Sequence, residues 1–266
     1  MNSKKQQNKP DYGNWVPAAM MKMCYTISAI LILLILADIF LIKSIVAGIL
    51  LGIVFLAVFA FTLYMQICRN KFAFEKGGLM GEVHEYLVNH LDWDGNGRLL
   101  DIGCGAGALT LRCAKKFKNA RLTGIDYWGK EWSYAKEQCE KNALLENVQS
   151  RTEFQKGDAA KLDFADETFD AAVSNFVFHE VKTQPDKHKV VKEALRVVKK
   201  GGSFAFQDMF EQKKLYGNME EFIKELRKEG IQEIHYIPNV EKEDFIPGFI
   251  QAPWMLKGVG IIYGKK

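Results

Sequence analysis

The chain has 266 residues, of which 48 % are hydrophobic, and a formal net charge of +4. This length allows one large domain or a domain with an appendage. The mild charge, without a basic stripe interleaved with aromatic residues, excludes nucleic acid as an expected partner. The five cysteines have neither the spacing of a metal site nor a paired framework, so we expect no metal.

The apolar residues are concentrated near the N-terminus. Residues 23–67 form an almost unbroken apolar run, interrupted by the charges of Asp38 and Lys43 alone. Its two segments, 23–42 and 45–67, are each close to the roughly 20 residues that a helix needs to cross a bilayer. The run is too long for a cleaved signal peptide. We therefore predict a transmembrane helical hairpin, with a buried hairpin inside a soluble domain as the alternative.

Basic residues flank this hairpin on the side of both termini. The positive-inside rule therefore predicts a two-pass protein of the cell membrane with both termini in the cytoplasm. A carboxylate such as that of Asp38 is energetically costly inside a membrane-spanning helix. Asp38 either reaches the nearby membrane interface or stays protonated; the alternative is a role in substrate binding. Gly48 and Gly52 form a G-x-x-x-G pattern, which predicts close helix packing or a homodimer through these helices. The flanking basic residues are Lys4, Lys5, Lys9 and Lys22 before the hairpin and Arg69, Lys71 and Lys76 after it.

A helix over residues 81–91 precedes the most informative stretch of the sequence. Residues 98–102 are an apolar run that predicts a buried strand, and a helix follows from Ala108. Glycines at 103, 105 and 107 fill the turn between them. Glycine permits positive φ there and lets backbone N–H groups approach a ligand, while the helix N-terminus favours a negative charge. The G-x-G-x-G spacing differs from the G-x-G-x-x-G of dinucleotide-binding dehydrogenases.

Strands and helices alternate over the rest of the chain. Asp126 ends the second strand about 20 residues beyond the glycine turn, where it can bind ribose hydroxyls or, alternatively, cap a helix. This alternation predicts a mostly parallel sheet covered on both faces. The predicted strands are 121–126, 152–156, 169–174, 202–208, 231–237 and 258–263, with a helix at 187–199.

The glycine turn, with Asp101 two residues before its first glycine, resembles motif I of the class I S-adenosylmethionine (SAM)-dependent methyltransferases. The turn at 200–202 resembles the "LRVLKPGG" segment of small-molecule methyltransferases of the type 11/25-like domain, with Lys200 where proline is usual. The resemblance covers roughly residues 78–266. It implies a Rossmann-like methyltransferase sheet whose last strand is antiparallel, SAM as cofactor, and methyl transfer as the reaction.

The resemblance also implies a set of cofactor-binding residues. Asp158 takes the adenine amino group, with the backbone of small Ala159 beside a ring nitrogen. Tyr127 or Trp128 stacks on adenine or, alternatively, packs the sheet edge. Asn175 braces the loop near the methionine end of SAM. The complete predicted set is Asp101, Gly103, Cys104, Gly105, Gly107, Asp126, Tyr127, Asp158, Ala159 and Asn175.

Residues just after the fourth and fifth strands are the predicted catalytic groups, because ligands of open α/β sheets bind at the carboxyl ends of strands. His179 is the preferred base, since its ordinary pKa is near neutrality. The alternative is that His179 only orders its loop or touches the substrate. Asp208 ends the fifth strand and is the second catalytic candidate. The aromatic loop at 247–254 either lines a lipophilic pocket or dips towards the bilayer.

The sequence thus predicts a membrane-anchored methyltransferase with a lipophilic or membrane-associated small-molecule acceptor. One alternative keeps the enzyme but makes the acceptor a soluble metabolite or protein. Another is a SAM-binding membrane protein without turnover, because a fold does not establish a function. The predicted organisation is a cytosolic tail at 1–22, the transmembrane hairpin at 23–68, a linker with the leading helix at 69–97, and the methyltransferase domain at 98–266.

Overall fold

The computed structural model describes residues 9–74, 78–129 and 136–266. The chain forms two compact units. The helical unit is Gly13–Gly81, and the α/β unit is Glu82–Lys266 together with the N-terminal segment that ends at Tyr12. Lys4, Lys5 and Lys76, which contribute to the orientation prediction, lie outside the described residues.

The helical unit is built on two long helices. Helix α1 spans Ala18–Ala37 and continues through a π-helical turn at Asp38–Ile42, and α2 spans Ile45–Phe72. By length and composition both helices can cross a membrane. They extend beyond the predicted apolar segments, because α1 begins at Ala18 and α2 carries Arg69 and Lys71 in its last turn. Their apolar side chains are largely exposed. In the most apolar 18-residue stretch of each helix, only 11 % of the first and 6 % of the second is buried.

Asp38 closes the turn between the two helices. Its Oδ1 accepts a hydrogen bond from the backbone N–H of Ser44 at 3.2 Å, beside the N-terminus of α2. A Cβ added at Gly48 would lie 2.9 Å from Asp38 Oδ2, whereas one added at Gly52 would meet nothing within 4 Å. The first glycine of the G-x-x-x-G pattern therefore makes room for the Asp38 carboxylate within the hairpin, and a carboxylate at a helix N-terminus is favourably placed.

The α/β unit contains a seven-stranded sheet in the order β3-β2-β1-β4-β5-β7-β6. Strands β1 to β5 run parallel, and β7 is antiparallel to both of its neighbours. The predicted fold class, with its antiparallel last strand, is confirmed. The strands are β1 Gly97–Ile102, β2 Ala120–Asp126, β3 Thr152–Lys156, β4 Phe169–Asn175, β5 Val198–Asp208, β6 Glu233–Ile237 and β7 Gly260–Lys265.

Helices cover both faces of this sheet, as the crossover connections of parallel strands require. A large apolar cluster on one face joins Phe204 and Phe206 of β5 to the buried sides of α6 and α8. The helices are α3 Leu79–Asn89, α4 Ala108–Lys116, α5 Lys136–Leu145, α6 Lys187–Arg196, the short α7 Lys213–Tyr216, and α8 Met219–Lys228.

The segment between α6 and β5 differs from the prediction. The helix ends at Arg196, and β5 contains both Lys199, which was predicted to be helical, and Lys200, which was predicted to lie in a turn. The pairing of β4 with β5 shifts register between Phe169 and Ala171, so the extra residues form a bulge in β5. Gly201 has a φ of 76° in this bulge. The helical pattern of the sequence therefore extends beyond Arg196, although in the structure pairing with β4 begins the strand at Val198.

Candidate functional site

The loop after β1 folds back onto β2. The backbone N–H groups of Gly103 and Cys104 donate to the carbonyl oxygen of Ile125 at 2.8 and 2.9 Å. The N–H of Gly105 donates to Asp126 Oδ2 at 2.9 Å. Three amides that the sequence suggested for ligand contact thus bond within the protein and fix the turn.

The glycines of this loop are required by conformation and by space. Gly103, Gly105 and Gly107 all have positive φ, which L side chains rarely adopt. A Cβ at Gly103 would lie 2.1 Å from a methyl carbon of Val177. Gly107 is the N-terminal cap of α4. The first glycine therefore allows the loop after β4 to pack closely against the loop after β1.

Asp101 lies beneath the loop and is almost fully buried. The hydroxyl of Thr110 on α4 donates to Asp101 Oδ2 at 2.5 Å. Burial raises the pKa of Asp101 to about 7, against the lowering effect of the Thr110 hydrogen bond. Asp101 is thus placed to brace β1 against α4.

Cys104 also has a buried side chain, beside that of Cys139 on α5. Burial raises the pKa of the Cys104 thiol well above its ordinary value. The Cys139 thiol donates to the carbonyl oxygen of Gly105 at 3.1 Å. Both buried cysteine side chains therefore pack against the glycine loop.

Asp126 stands at the end of β2, where a ribose-binding acid was predicted. Its Oδ1 accepts from the N–H of Trp128 at 2.8 Å, in addition to the Gly105 contact on Oδ2. Burial raises the pKa of Asp126, and its backbone hydrogen bonds oppose this effect. Since a carboxylate has about four acceptor positions, Asp126 retains capacity for ligand hydroxyls.

The two aromatic residues after Asp126 have different environments. The indole N–H of Trp128 donates to the carbonyl oxygen of Gly105 at 3.2 Å, so this side chain lies over the glycine loop. The Tyr127 ring is 58 % exposed, and the Lys156 ammonium lies 5.2 Å from its centroid. Tyr127 is therefore the more accessible ring for stacking on adenine. The Trp128 side chain instead contacts the glycine loop.

Asp158 is brought next to this site by the pairing of β2 with β3. The N–H of Gly157 donates to the carbonyl oxygen of Asp126 at 3.0 Å. Asp158 Oδ1 accepts from the N–H of Ala160 and the hydroxyl of Thr183 at 2.9 and 3.0 Å. Both contacts use one oxygen, which leaves Oδ2 for a ligand. Ala159 packs against the apolar cluster beneath.

Two buried acceptor atoms lie at the carboxyl ends of β4 and β5. Asn175 and Gln207 are paired across these strands. Among the described residues, Asn175 Oδ1 and Gln207 Oε1 have no hydrogen-bond partner although both atoms are buried. An unsatisfied buried acceptor is costly, so a donor from a ligand would be stabilised here. Asn175 was predicted and Gln207 was missed. The only signal for Gln207 was a polar residue directly after the apolar run at 204–206.

His179 and Asp208 form an ion pair close to these acceptors in sequence, in which Asp208 is buried and His179 is partly buried. His179 Nδ1 lies 2.7 Å from Asp208 Oδ1. Asp208 is fully buried and also accepts from the N–H groups of Phe178 and Met209 at 2.8 and 2.6 Å. Burial lowers the pKa of His179, but the charge and hydrogen bond of Asp208 outweigh it and raise the pKa to about 10. The raised pKa favours the protonated imidazole, whose ring N–H groups are hydrogen-bond donors.

Residues 100–206 match the family model described as a methyltransferase domain. The chain carries a SAM-dependent methyltransferase domain. The match contains the glycine loop, Asp126, Asp158 and Asn175. It confirms the resemblance stated from motif I, and S-adenosyl-L-methionine is the cofactor of this domain.

The curated relatives are similar over less than half of this chain. A sterol 4-C-methyltransferase from Caenorhabditis elegans is 33 % identical over 127 residues, covering 48 % of this chain and 35 % of the relative. A phosphatidylethanolamine N-methyltransferase from Cereibacter sphaeroides is 36 % identical over 114 residues, covering 43 % of this chain and 51 % of the relative. The chain thus spans a third to a half of the length of these relatives.

Solved structures share the fold of the methyltransferase domain. The [4+2]-cyclase SpnF is 21 % identical with a TM-score of 0.53, covering 70 % of this chain and 80 % of that one. Geranyl diphosphate methyltransferase, solved with GPP and sinefungin, is 15 % identical with a TM-score of 0.52, covering 72 % and 80 %. At these identities the likeness concerns the fold alone.

The residues at the carboxyl edge of the sheet fit SAM. Asp126 at the end of β2 and Asp158 just after β3 suit ribose hydroxyls and an adenine amino group, and the unpaired Asn175 acceptor suits an ammonium group. When bound, SAM supplies a methyl group already activated by its sulfonium. Within the described ranges, no group of three or more His, Cys, Asp or Glu side chains is arranged to hold a metal ion.

Proposed function

We propose that the protein is a membrane-anchored methyltransferase that acts on a lipophilic or membrane-associated small molecule by direct in-line methyl transfer. The observation that carries the proposal is the presence, in one chain, of the methyltransferase domain and two long helices with exposed apolar side chains. Burial in a soluble core would cover these side chains, whereas a bilayer would solvate them. A tethered enzyme meets bilayer-bound substrates at high effective concentration.

The proposed topology places both termini and the methyltransferase domain in the cytoplasm. The basic residues that flank the hairpin support it, with Lys9 before α1, Lys22 near the start of α1, and Arg69 and Lys71 at the end of α2. The proposed organisation is a tail at 1–22, the hairpin at 23–68, a linker with the leading helix at 69–97 and the domain at 98–266. The space that Gly48 provides is used by Asp38, so a homodimer through these helices would rely on Gly52 and its neighbours.

The loop at 247–254 supports an amphiphilic acceptor. Phe249 and Trp254 are 44 % and 67 % exposed on it. Buried Glu241 accepts hydrogen bonds from the N–H groups of Gly258 and Val259, both at 3.0 Å, in the segment that follows this loop. The N–H of Glu211, three residues beyond Asp208, donates to the carbonyl oxygen of Gly258 at 3.0 Å. An exposed aromatic loop whose following segment is bonded to the residues after β5 suits an apolar substrate tail.

The names of the relatives point in the same direction, since sterols and phosphatidylethanolamine are both membrane lipids. We propose that charged His179, held by Asp208, orients the acceptor as a hydrogen-bond donor. The in-line displacement then depends mainly on holding the acceptor atom close to the activated methyl group and on excluding water.

The test is incubation of the purified full chain with methyl-labelled SAM and separate lipid and aqueous extracts of the source cells. We expect label in the lipid phase, and none in either phase with Asp126→Ala. Label confined to the aqueous phase would replace the lipophilic acceptor with a soluble one and reduce the hairpin to an anchor. Binding of SAM without label in either phase would support a protein without turnover.

A further inference from the structure

The segment before α1 is held on the α/β unit. We call residues 9–12 the strap. The N–H of Asp11 donates to Asn142 Oδ1 at 2.9 Å, and Asn142 Nδ2 donates back to the carbonyl oxygen of Asp11 at 2.7 Å. The Tyr12 hydroxyl donates to Oε1 of Glu146, the residue directly after α5, at 2.7 Å. A carboxamide thus binds the strap backbone in the two-point manner of a neighbouring strand.

Asn142 connects the strap to the glycine loop. Its Nδ2 also donates to the carbonyl oxygen of Ala106 at 2.9 Å, and its Oδ1 accepts from Gln138 Nε2 at 2.9 Å. The side chain is fully buried, and all four of its hydrogen-bonding positions are used. Two of the four partners belong to the strap, so loss of the strap halves the restraint on this carboxamide.

The Ala106 carbonyl matters because a planar peptide unit points its C=O and N–H in opposite directions. The other end of the Ala106–Gly107 peptide is the Gly107 N–H, which donates to the carbonyl oxygen of Cys104 at 2.7 Å. Orienting the Ala106 carbonyl therefore orients the peptide that closes the turn. Trp128 and Cys139 hold the preceding carbonyl, that of Gly105, in the same way.

We propose that Asn142 is a positioning residue that couples the strap to the SAM-binding loop, so that the segment preceding the first apolar helix strengthens cofactor binding. Tyr12 is followed at once by the helical unit at Gly13. The cofactor affinity of the domain is then a property of the full chain, including residues outside the family match at 100–206.

The first test compares two deletions in the full chain in lipid nanodiscs, with S-adenosylhomocysteine as the probe. Deletion of residues 1–12 removes the strap, and deletion of residues 1–8 is the matched control that keeps it. We expect the Kd from calorimetry to rise about fivefold or more in the first variant, as expected for the loss of about one net buried hydrogen bond, and to stay at the full-chain value in the second. Equal Kd values for both deletions would overturn the proposal.

Point variants test the same coupling without shortening the chain. Asn142→Asp keeps the shape but loses both Nδ2 donors, so it should weaken binding at least as much as the strap deletion. Gln138→Ala removes a partner of Asn142 that is outside the strap and should have a smaller effect. Tyr12→Phe removes only the hydroxyl contact with Glu146 and should weaken binding about twofold. A Kd for Asn142→Asp equal to that of the full chain would contradict the proposal.

A second readout separates coupling from simple structural support. Coupling between two sites is reciprocal, so bound S-adenosylhomocysteine must stabilise the docked strap by the same factor. We expect saturating ligand to slow hydrogen exchange of the Asp11 amide, and we expect this slowing to disappear in Asn142→Asp. A strap whose exchange does not respond to ligand would refute the coupling. Neither test uses a methyl acceptor, so the results are independent of the proposed substrate class.

Discussion

The His179–Asp208 pair allows a quantitative prediction through Asp208→Asn. The substitution keeps the size of the side chain and removes the charge that lies 2.7 Å from His179 Nδ1. In the native protein the pKa of His179 rises from 6.5 to about 10. At about 1.36 kcal/mol per pH unit this favours the charged imidazole by roughly 5 kcal/mol. In Asp208→Asn, burial still lowers the pKa of His179, and the weaker effect of Glu180 alone opposes it.

The assay is NMR of the full chain with ¹⁵N-labelled histidine rings, with the His179 signals identified by their loss in His179→Gln. We expect no titration of wild-type His179 between about pH 5.5 and 8.5, and a midpoint below about 7 in Asp208→Asn. Glu180→Gln is the matched control. Its carboxylate lies 3.4 Å from His179 Nε2 and its side chain is 40 % exposed, so it should lower the pKa far less. A wild-type midpoint near 6.5 would refute the reasoning and restore His179 as a free base.

The same pair predicts a pH dependence of stability. Because the pKa of His179 is raised in the folded state, its contribution is complete below the unfolded value of about 6.5 and is lost as the pH rises through about 10. Removing one partner of a buried pair costs about 3–5 kcal/mol. The difference in melting temperature between wild type and Asp208→Asn should therefore be large at pH 6.5 and should shrink towards pH 10. A constant difference would show that the charge of His179 contributes little.

Three further outcomes follow from individual contacts. Gly103→Ala should abolish S-adenosylhomocysteine binding in calorimetry, because its Cβ would lie 2.1 Å from a valine methyl of the loop after β4. Gly201→Ala is the control and should keep binding, because Gly201 has a similar φ but its Cβ would meet nothing within 4 Å. Gly48→Ala should lower the melting temperature of the chain in nanodiscs, because its Cβ would lie 2.9 Å from the carboxylate that closes the hairpin, and Gly52→Ala, with nothing within 4 Å, should not. Asp101→Asn should raise the melting temperature at pH 8 but not at pH 4. The reason is that the pKa of Asp101 is raised to about 7, so ionisation of this buried group costs stability as the pH rises from about 4 to 7. An equal effect at both pH values would contradict this prediction.

The ends of the strands were the most predictable feature of the domain. Local apolar runs and glycine spacing indicated the glycine turn, Asp126 and Asp158, because each lies where one strand ends and side chains must become polar. The helix after Asp186 was predicted too long, because the bulge at Gly201 depends on pairing with β4, which is distant in sequence. The hairpin was predictable from its apolar length, whereas the hydrogen bond from the Ser44 N–H to Asp38 depends on the conformation of the turn between the helices.

The sequence by itself determined the class of the domain, its cofactor and the presence of two helices long enough for a bilayer, since spacing and hydropathy are local properties. Only the tertiary structure decided what the polar groups do. It showed that loop amides bond to β2, that Asp208 contacts the His179 ring, and that Asn142 bonds to Asp11, which lies 131 positions away in the chain. A pKa or a hydrogen-bond partner is set by neighbours in space, and sequence spacing carries no information about them.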